Sequence, residues 1–531
     1  MFVDALPSSM NVGRPETRPI VFARCRFVPG PGDKEVTFNG VDFGIVGGRT
    51  GFFDHPAGFW GHLRSLRKEG TILLVLSDPN RDLALMGLPE GFEWRLSGRS
   101  EPLPCDCAGG PQAVFNRPGD TGNRLFMGTL ARGHRAWQVI GLSNWHPDGM
   151  FCNGLSFEEG LAEVRAHVRA IETHALGPKV MNTIPQQAMR SFRHHTATHS
   201  RGNPDWQLCS HENEELAEFE YRALRSQSPF RKEPYNSHIY DTLYKVDFTA
   251  HYLSIMAHEL LPVRPRHWIP EGIDAAELDA WAGDPTGAFI ASVVTVNGES
   301  GFVLSPHWAA ARPQIAAVRQ AALYSAGDVF QSWAQAMFEA READPANAAL
   351  IKRIGVSLWG YLSRRNRSAR FYDDDGGTDI WGEHLEGRGR LWDQGIGLEW
   401  DSAGRHCRTE PHRVGRGRHF ALGAFMIGLG KRKLAELMEL VPPHSVVAGH
   451  TDSLFTTEPI PGIPLRSKGH AKALGALVYE RLRYVQWRNG VRYVGGDVDA
   501  APGVKRLGTV TYAKFDESDP PAPGIARIEA P

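Results

Sequence analysis

The junction Ala343-Asp344-Pro345 constrains the fold of this chain more than any other three residues. It separates two long helix-like stretches, roughly residues 313–343 and 345–364. Asp344 can cap the second stretch, and Pro345 suits a first helical position, where no backbone N–H is needed. Two helices joined so tightly fold back as an antiparallel hairpin. Strand-like segments flank the pair. Residues 244–256 and 288–296 come before it, and a β-hairpin candidate at 445–457 follows, approached by a helix over about 420–440. The helical pair is thus an excursion between two pieces of β structure.

The first 150 or so residues read as short strands and turns, with strand-like content at 20–27, 35–46 and 71–76. Residues 156–176 turn helical, with Phe157, Leu161, Val164, Val168 and Ile171 on one face, and 214–224 is a second helical candidate. Residues 371–418 are rich in Gly, Arg and Asp and read as an insertion with little regular structure. The Pro-rich tail after Phe515 is expected to be disordered.

Three segments carry chemistry in a fixed order. The first is Lys245-Val246-Asp247-Phe248-Thr249-Ala250-His251-Tyr252, where strand alternation sends Asp247 to the side opposite Val246 and Phe248. In the second helix of the pair, Lys352, Val356 and Trp359 share a face at i, i+4 and i+7. The third, Gly449-His450-Thr451-Asp452-Ser453-Leu454-Phe455, puts Asp452 at or next to a hairpin turn. Phosphoryl transfer to a hydroxyl uses two divalent cations about 4 Å apart on hard oxygen ligands. Two aspartates on adjacent strands can bridge such a pair, and a helix-borne cation such as Lys352 suits the triphosphate. Taken singly each residue has a plainer reading: a turn aspartate, a solvated lysine, a core tyrosine. Their order around a helical pair outweighs those readings.

Length and composition exclude little. A chain of 531 residues divides into several cores, and 42% hydrophobic with 22% charged residues is ordinary for a soluble protein. No run approaches the roughly 18 apolar residues of a membrane span, and residues 1–14 lack the pattern of a secretory signal. The six scattered cysteines suggest a reducing compartment, so a cytoplasmic location is expected. The net charge of −1 selects no partner. Arginines recur between Arg364 and Arg418 among acidic residues, which fits a phosphate-facing surface or a solvated loop equally. Cys105 and Cys107 lack a second pair for zinc, and no phosphate-cradling Gly-x-x-x-x-Gly-Lys loop occurs.

Asp247-Phe-x-x-x-Tyr252 resembles the first palm motif of family B DNA polymerases. Lys352 to Gly360 resembles their fingers motif, and Thr451-Asp452-Ser453 the last palm motif, usually Asp-Thr-Asp-Ser. The approach helix from Phe420 to Arg432, Arg492-Tyr493 and Pro502-Gly503-Val504 resemble further conserved stretches, so the likeness covers about residues 180–505. It is nearest to the short polymerases of phages and linear plasmids, many of them protein-primed. Departures from the pattern are His450 for the first aspartate, Val356 for Asn, Trp359 for Tyr, Val491 for the Lys of Lys-x-Tyr, and Arg225-Ser226-Gln227 where relatives often have a Gly-Gly pair.

The resemblance implies an α/β (α+β) multidomain fold, a right-hand polymerase with an N-terminal RNase H-like exonuclease-type domain. It implies that domain over 1–178, a linker and first palm part over 179–300, fingers over 301–364 and an Arg/Gly-rich insertion over 365–419. A second palm part over 420–466 and a thumb with disordered tail over 467–531 complete the layout. Asp247, Asp452 and the carbonyl of Phe248 would ligate two Mg2+ or Mn2+ ions. Tyr252 would act as steric gate against a 2′-hydroxyl, Lys352 and Arg341 would grip the triphosphate, and Trp359 would wall the base. Thr451, Arg492 and Tyr493 would touch DNA. The implied partners are primer–template DNA and deoxynucleoside triphosphates, with a terminal-protein primer suggested by the position of the insertion. No membrane partner is expected, and the protein is expected to be a monomer. Of the exonuclease carboxylates, Asp42 and Asp82 match, while Gly44 stands for a glutamate and His167 for an aspartate. The expectation is therefore an inactive exonuclease domain. The rival expectation for the whole chain is a polymerase-derived protein that binds DNA without synthesising it.

Overall fold

The structure is a computed structural model and describes residues 18–29, 36–66, 70–96, 127–132, 135–145, 155–174, 176–177, 179–199, 213–227, 231–232, 239–363, 367–372, 397–400, 406–411, 419–450, 452–463, 473–488, 492–495 and 498–500. Among them no helix is long and apolar enough to cross a membrane.

The N-terminal part is a seven-stranded sheet sandwiched between helices. Its elements are β1 (Ile20–Pro29), β2 (Val36–Ile45), β3 (Thr50–Phe53), α1 (Pro56–Leu66), β4 (Gly70–Leu76), α2 (Pro79–Met86), β5 (Glu93–Leu96), β6 (Met127–Arg132), β7 (Arg135–Gly141) and α3 (Phe157–Thr173). The strand order is β3-β2-β1-β4-β7-β6-β5, with β1–β4 and β4–β7 parallel and the other pairs antiparallel. The two faces follow from strand alternation. Ile20 and Phe22 meet Leu161, Val164 and Ile171 of α3, whereas Val21 and Ala23 share a core with Phe59 and Leu63 of α1 and Leu83 of α2. A capping box formed by Ser156 and Glu159 starts α3. The sequence expectations at 20–27, 35–46, 71–76 and 156–176 all correspond to elements here.

Helices α4 (Ile184–His199) and α5 (Glu214–Ser226) lead into β8 (Arg231–Lys232), β9 (Ile239–Phe248) and α6 (His251–His258). A four-stranded antiparallel sheet follows, in the order β10-β13-β11-β12, built from β10 (Leu261–Ile269), β11 (Gly287–Thr295), β12 (Ser300–Leu304) and β13 (Ile315–Gly327), with α7 (Ala275–Gly283) and α8 (Trp308–Ala311) on one side. The helical pair is α9 (Gln331–Ala343) and α10 (Ala348–Leu362). Beyond it come β14 (Arg367–Tyr372), β15 (Gly397–Trp400), β16 (His406–Pro411), α11 (Phe420–Met438), β17 (Val446–His450), β18 (Ser453–Thr456), β19 (Leu477–Arg488), β20 (Arg492–Gly495) and β21 (Val498–Ala500).

Three expectations change, and one strand is added. The helix expected from residue 313 starts only at Gln331, because 315–327 is strand β13 between β10 and β11. Its alanines suit a helix, but Ala322 and Tyr324 enter one core and Ala321 and Leu323 the other, so burial on both faces overrides propensity. The β-rich reading of 244–256 stops at Phe248, where Ala250 turns the chain into α6 with φ +53. Part of the 371–418 stretch is regular: β14, β16 and β15 form a small antiparallel sheet, whose sequences carry too few apolar residues to announce it. Finally β19, which the sequence reading did not mark as a strand, pairs with β9 in a second seven-stranded sheet of order β21-β20-β19-β9-β18-β17-β8.

The helical pair is fastened to the N-terminal part. Asp344, at its turn, pairs with His174 just after α3 at 3.2 Å, and Arg353 of α10 donates to the Trp145 carbonyl at 3.2 Å. Trp333 of α9 donates to Ser191 of α4 at 3.1 Å. A second fastening is Glu220 of α5, 1% exposed, which accepts from the Tyr324 hydroxyl at 2.7 Å and from the Ala421 N–H opening α11 at 3.4 Å. Burial and the adjoining carboxylate push the Tyr324 phenol well above its ordinary range. Replacing Tyr324 by Phe removes one donor from a buried carboxylate, so thermal or urea unfolding should show a loss of about 1–3 kcal/mol.

Candidate active site

The centre of the second seven-stranded sheet brings the three chemical segments together. Strands β9 and β18 run antiparallel with Asp247 opposite Ser453, and the Phe248 N–H donates to the Asp452 carbonyl at 3.3 Å. Since His450 pairs with Ser453, Asp452 occupies the tight β17–β18 turn, as its sequence position suggests. Both aspartates therefore stand at the same end of neighbouring strands, which lie about 4.8 Å apart. The opposite face of the sheet is apolar: Val246, Leu454 and Tyr479 pack with Leu434 and Leu437 of α11.

The turn after Asp247 is tightly specified. Ala250 adopts a left-handed conformation, which is costly for a residue with a Cβ. Thr249 is held on both sides, donating to the Ala476 carbonyl at 2.9 Å and accepting from the Gly475 N–H at 2.9 Å. Gly475 itself has φ +77, and a Cβ there would come 2.9 Å from Ser254 Cβ. This clamp fixes where α6 begins, and so where Tyr252 lies.

Helix α10 reaches the aspartates because Gly355 allows it to approach α6: a Cβ there would come 2.9 Å from Leu253 Cδ1. Trp359 then lies against Tyr252 with ring centroids 4.9 Å apart at 44°, and Lys352, seven residues earlier, acts electrostatically on Asp452. Burial, and next the neighbouring Asp247 charge, push the Asp452 carboxyl up to about 6; Lys352 and Lys245 partly offset this. Burial and the Asp452 charge raise the Tyr252 phenol to about 12. Asp247, Asp452, Lys352, Tyr252 and Trp359 thus form one constellation, drawn from β9, α6, α10 and the β17–β18 turn.

Among the described residues no group of three or more His, Cys, Asp or Glu side chains gathers in a form able to hold a metal. Two carboxylates beside a backbone carbonyl still fit Mg2+, which is typically bound through one or two carboxylates and completed by water and substrate phosphates. Burial first, and the Asp247 charge second, make the ionised Asp452 carboxyl costly, a cost that a bound cation would lower.

Other expected residues lie elsewhere or lack described side chains. Arg341 pairs with Glu342 at 2.6 Å and lies over the Phe338 ring at 4.7 Å, both on its own helix. Arg492 and Tyr493 belong to β20, opposite Arg488 and Trp487; Thr451 and Val491 lie outside the described residues. In the N-terminal sheet, Asp42 is held by two hydrogen bonds of 2.7 Å from Arg26. Asp82 is fully buried, accepting from the N–H groups of Asp78 at 3.1 Å and Cys25 at 3.4 Å. A Cβ on Gly44 would come 2.6 Å from Leu161 of α3. His167 stacks on Trp145 at 4.2 Å and 5°, and burial lowers its imidazole to about 3.

Sequence reasoning gave no role to two residues at the centre. His251 is 2% exposed, lies 4.8 Å from the Phe248 ring and 5.4 Å from Tyr252, and is lowered to about 4, chiefly by burial. Lys245 sits with its Nζ 3.8 Å from Asp247 Oδ2. Its place two residues before Asp247 on the same strand face was the available signal.

The raised Asp452 carboxyl has a consequence for stability. Its folded pKa of about 6 exceeds the ordinary 3.8, so the folded protein binds this proton more tightly than the unfolded chain. The ionised group therefore costs stability increasingly as pH rises from about 4 through 6, and fully above that. Asp452→Asn in EDTA should raise folding stability at pH 7.5 by about 1–3 kcal/mol and leave it nearly unchanged at pH 4. Equal effects at the two pH values in denaturant titrations would contradict this.

No protein-family model and no curated protein matches the sequence. Solved structures do match. The ternary complex of Phi29 DNA polymerase with primer-template DNA and incoming nucleotide substrates aligns with a TM-score of 0.59 at 10% identity, over 91% of this chain and 87% of that one. Its orthorhombic crystal form aligns at 0.61, with 10% identity over 90% and 87% of the two chains. The complex with single-stranded DNA gives 0.57 at 9% identity, over 90% and 87%. At such identity the likeness is one of fold: the chain has a mixed α/β fold similar to that of Phi29 DNA polymerase, a protein-primed polymerase of family B, the family its motifs resemble.

Proposed function

We propose that the chain is a template-directed DNA polymerase that adds deoxynucleotides to a 3′-hydroxyl. One observation carries this reading: strand pairing and the α10–α6 contact bring Asp247, Asp452, Lys352, Tyr252 and Trp359 to one place. In this reading Asp247, Asp452 and the Phe248 carbonyl hold two Mg2+ or Mn2+ ions. When bound, such ions stabilise charge on the attacking and leaving oxygens. Lys352, exposed on α10, meets the triphosphate as a point charge. The Tyr252–Trp359 aromatic pair forms a wall for base and sugar, and the neutral phenol crowds a 2′-hydroxyl. Arg492, Tyr493 and Thr451 contact the primer terminus, and Arg341 supports triphosphate binding when the helical pair moves. DNA replication in a phage or mobile element, with a terminal-protein primer, is the proposed context; it rests on the motif resemblance and the position of the insertion.

The N-terminal sheet is proposed to be a scaffold without hydrolytic activity. Arg26 occupies Asp42, Asp82 accepts backbone N–H groups, and Leu161 fills the space a side chain at Gly44 would need. The alternative of a noncatalytic DNA-binding protein is disfavoured because Tyr252 and Trp359 build an aromatic wall beside the carboxylates. Simple duplex binding has no use for such a wall.

A labelled primer–template with Mg2+ or Mn2+ tests this reading. Wild type should extend the primer, and Asp452→Ala should lower the rate roughly a thousandfold or more, since several kcal/mol of charge stabilisation is lost. Without nucleotides the primer should stay intact. Tight primer–template binding with no extension by wild type would favour the noncatalytic alternative, and primer shortening would refute the scaffold role. Separately, Tyr252→Val should raise ribonucleotide incorporation relative to deoxynucleotide by roughly tenfold or more, read as a ratio of kcat/KM values. An unchanged ratio would remove Tyr252 from sugar selection.

A further inference from the structure

Lys245 has no part in the reading above, yet it faces the carboxylate pair. Residues two apart on a strand share a face, so β9 presents Lys245 and Asp247 together. The Lys245 ammonium lies 3.8 Å from Asp247 Oδ2, with the two side chains 15% and 22% exposed. It also lies 5.7 Å over the ring of Phe455, its cross-strand partner on β18. Glu480 stands opposite Lys245 on β19, but the ammonium turns towards Asp247. Together with Lys352 it balances the two aspartates, two positive charges against two negative ones.

We propose that Lys245 is a built-in counter-ion that occupies Asp247 until nucleotide arrives, so that divalent cations bind weakly alone and enter with the triphosphate. The inference rests on the two-metal reading of the site. A free cation must displace or repel an ammonium already on its ligand. A triphosphate offers both lysines new anionic oxygens, and the flexible four-carbon stem of lysine lets the ammonium leave Asp247 without moving β9. The carboxylate oxygen it releases then becomes available to the metal.

The test is Mn2+ titration of the full chain followed by the EPR signal of the free ion, with and without a deoxynucleoside triphosphate. Lys245→Met keeps the stem over Phe455 while removing the charge, and Lys245→Gln is a second neutral replacement. Either should bind Mn2+ alone about tenfold tighter than wild type or more, the effect of removing one nearby charge. The gap should narrow when nucleotide is present, and Lys245→Arg should behave as wild type. Equal affinities for wild type and both neutral variants, with binding lost in Asp452→Asn, would overturn the counter-ion role and leave the metal site standing. Mn2+ uptake by none of the proteins, even with nucleotide, would overturn the two-metal reading and this inference with it.

Discussion

Two aspartates held at the ends of neighbouring strands repel each other, and neither can withdraw, because the backbone pairing of β9 with β18 fixes both. Burial sharpens the repulsion, since the charged form loses solvation just where a second charge stands nearby. The Asp452 carboxyl is lifted to about 6 by burial first and by the Asp247 charge second. What surrounds the pair offsets it. Lys245 shares the strand face, and Lys352 is brought over by α10, whose approach depends on the absence of a side chain at Gly355. The residue after Lys352 anchors the same helix: Arg353 donates to the Trp145 carbonyl of the N-terminal part. The electrostatics of the site therefore reach back to contacts made by a separate sheet.

That dependence gives the N-terminal sheet a physical role. Its polar residues are committed to holding structure, Asp42 in an ion pair with Arg26 and Asp82 beneath backbone N–H groups at the start of α2. His167 is a core ring stacked on Trp145, the residue whose carbonyl receives Arg353. His174, just past the end of the same helix, meets Asp344 at the turn of the helical pair. His167 on α3 and His174 just past its end thus both support the contacts that hold the helical pair. An acidic residue in place of His167 would bury a carboxyl in the core within the field of Arg353 and compete with the Trp145 carbonyl for that guanidinium.

Much of this was legible in the sequence, for reasons that particular residues make plain. The turn at Asp344-Pro345 and the hairpin around Asp452 both occur where expected. The cap differs: Asn347, not Asp344, stands at the N-cap of α10, which starts at Ala348 rather than Pro345. Asp344 instead accepts from the Asn347 N–H within the turn. Strand β13 was hidden because alanine, small enough to be buried on both faces, removes the alternation that would reveal a strand. The three-stranded sheet of β14, β15 and β16 was hidden for the opposite reason, its strands being too polar to show a pattern. At the site, the motif residues were legible and their supports were not. Gly355, Arg353 and Lys245 act through neighbours far away in sequence, and no local spacing gives their partners.

The same burial affects the two titratable groups of the site in opposite ways. It carries the Tyr252 phenol to about 12, away from any physiological titration, so the ring beside Trp359 stays neutral. It carries Asp452 to about 6, towards neutrality, where modest changes in nearby charge alter its ionisation. A neutral phenol can crowd a sugar without repelling a phosphate, which a phenolate could not do. A carboxyl whose ionised form is this costly is relieved by positive charge nearby, as Lys352 and Lys245 already do in part. Both shifts thus share one origin, burial that keeps one group uncharged and makes the other responsive to charge.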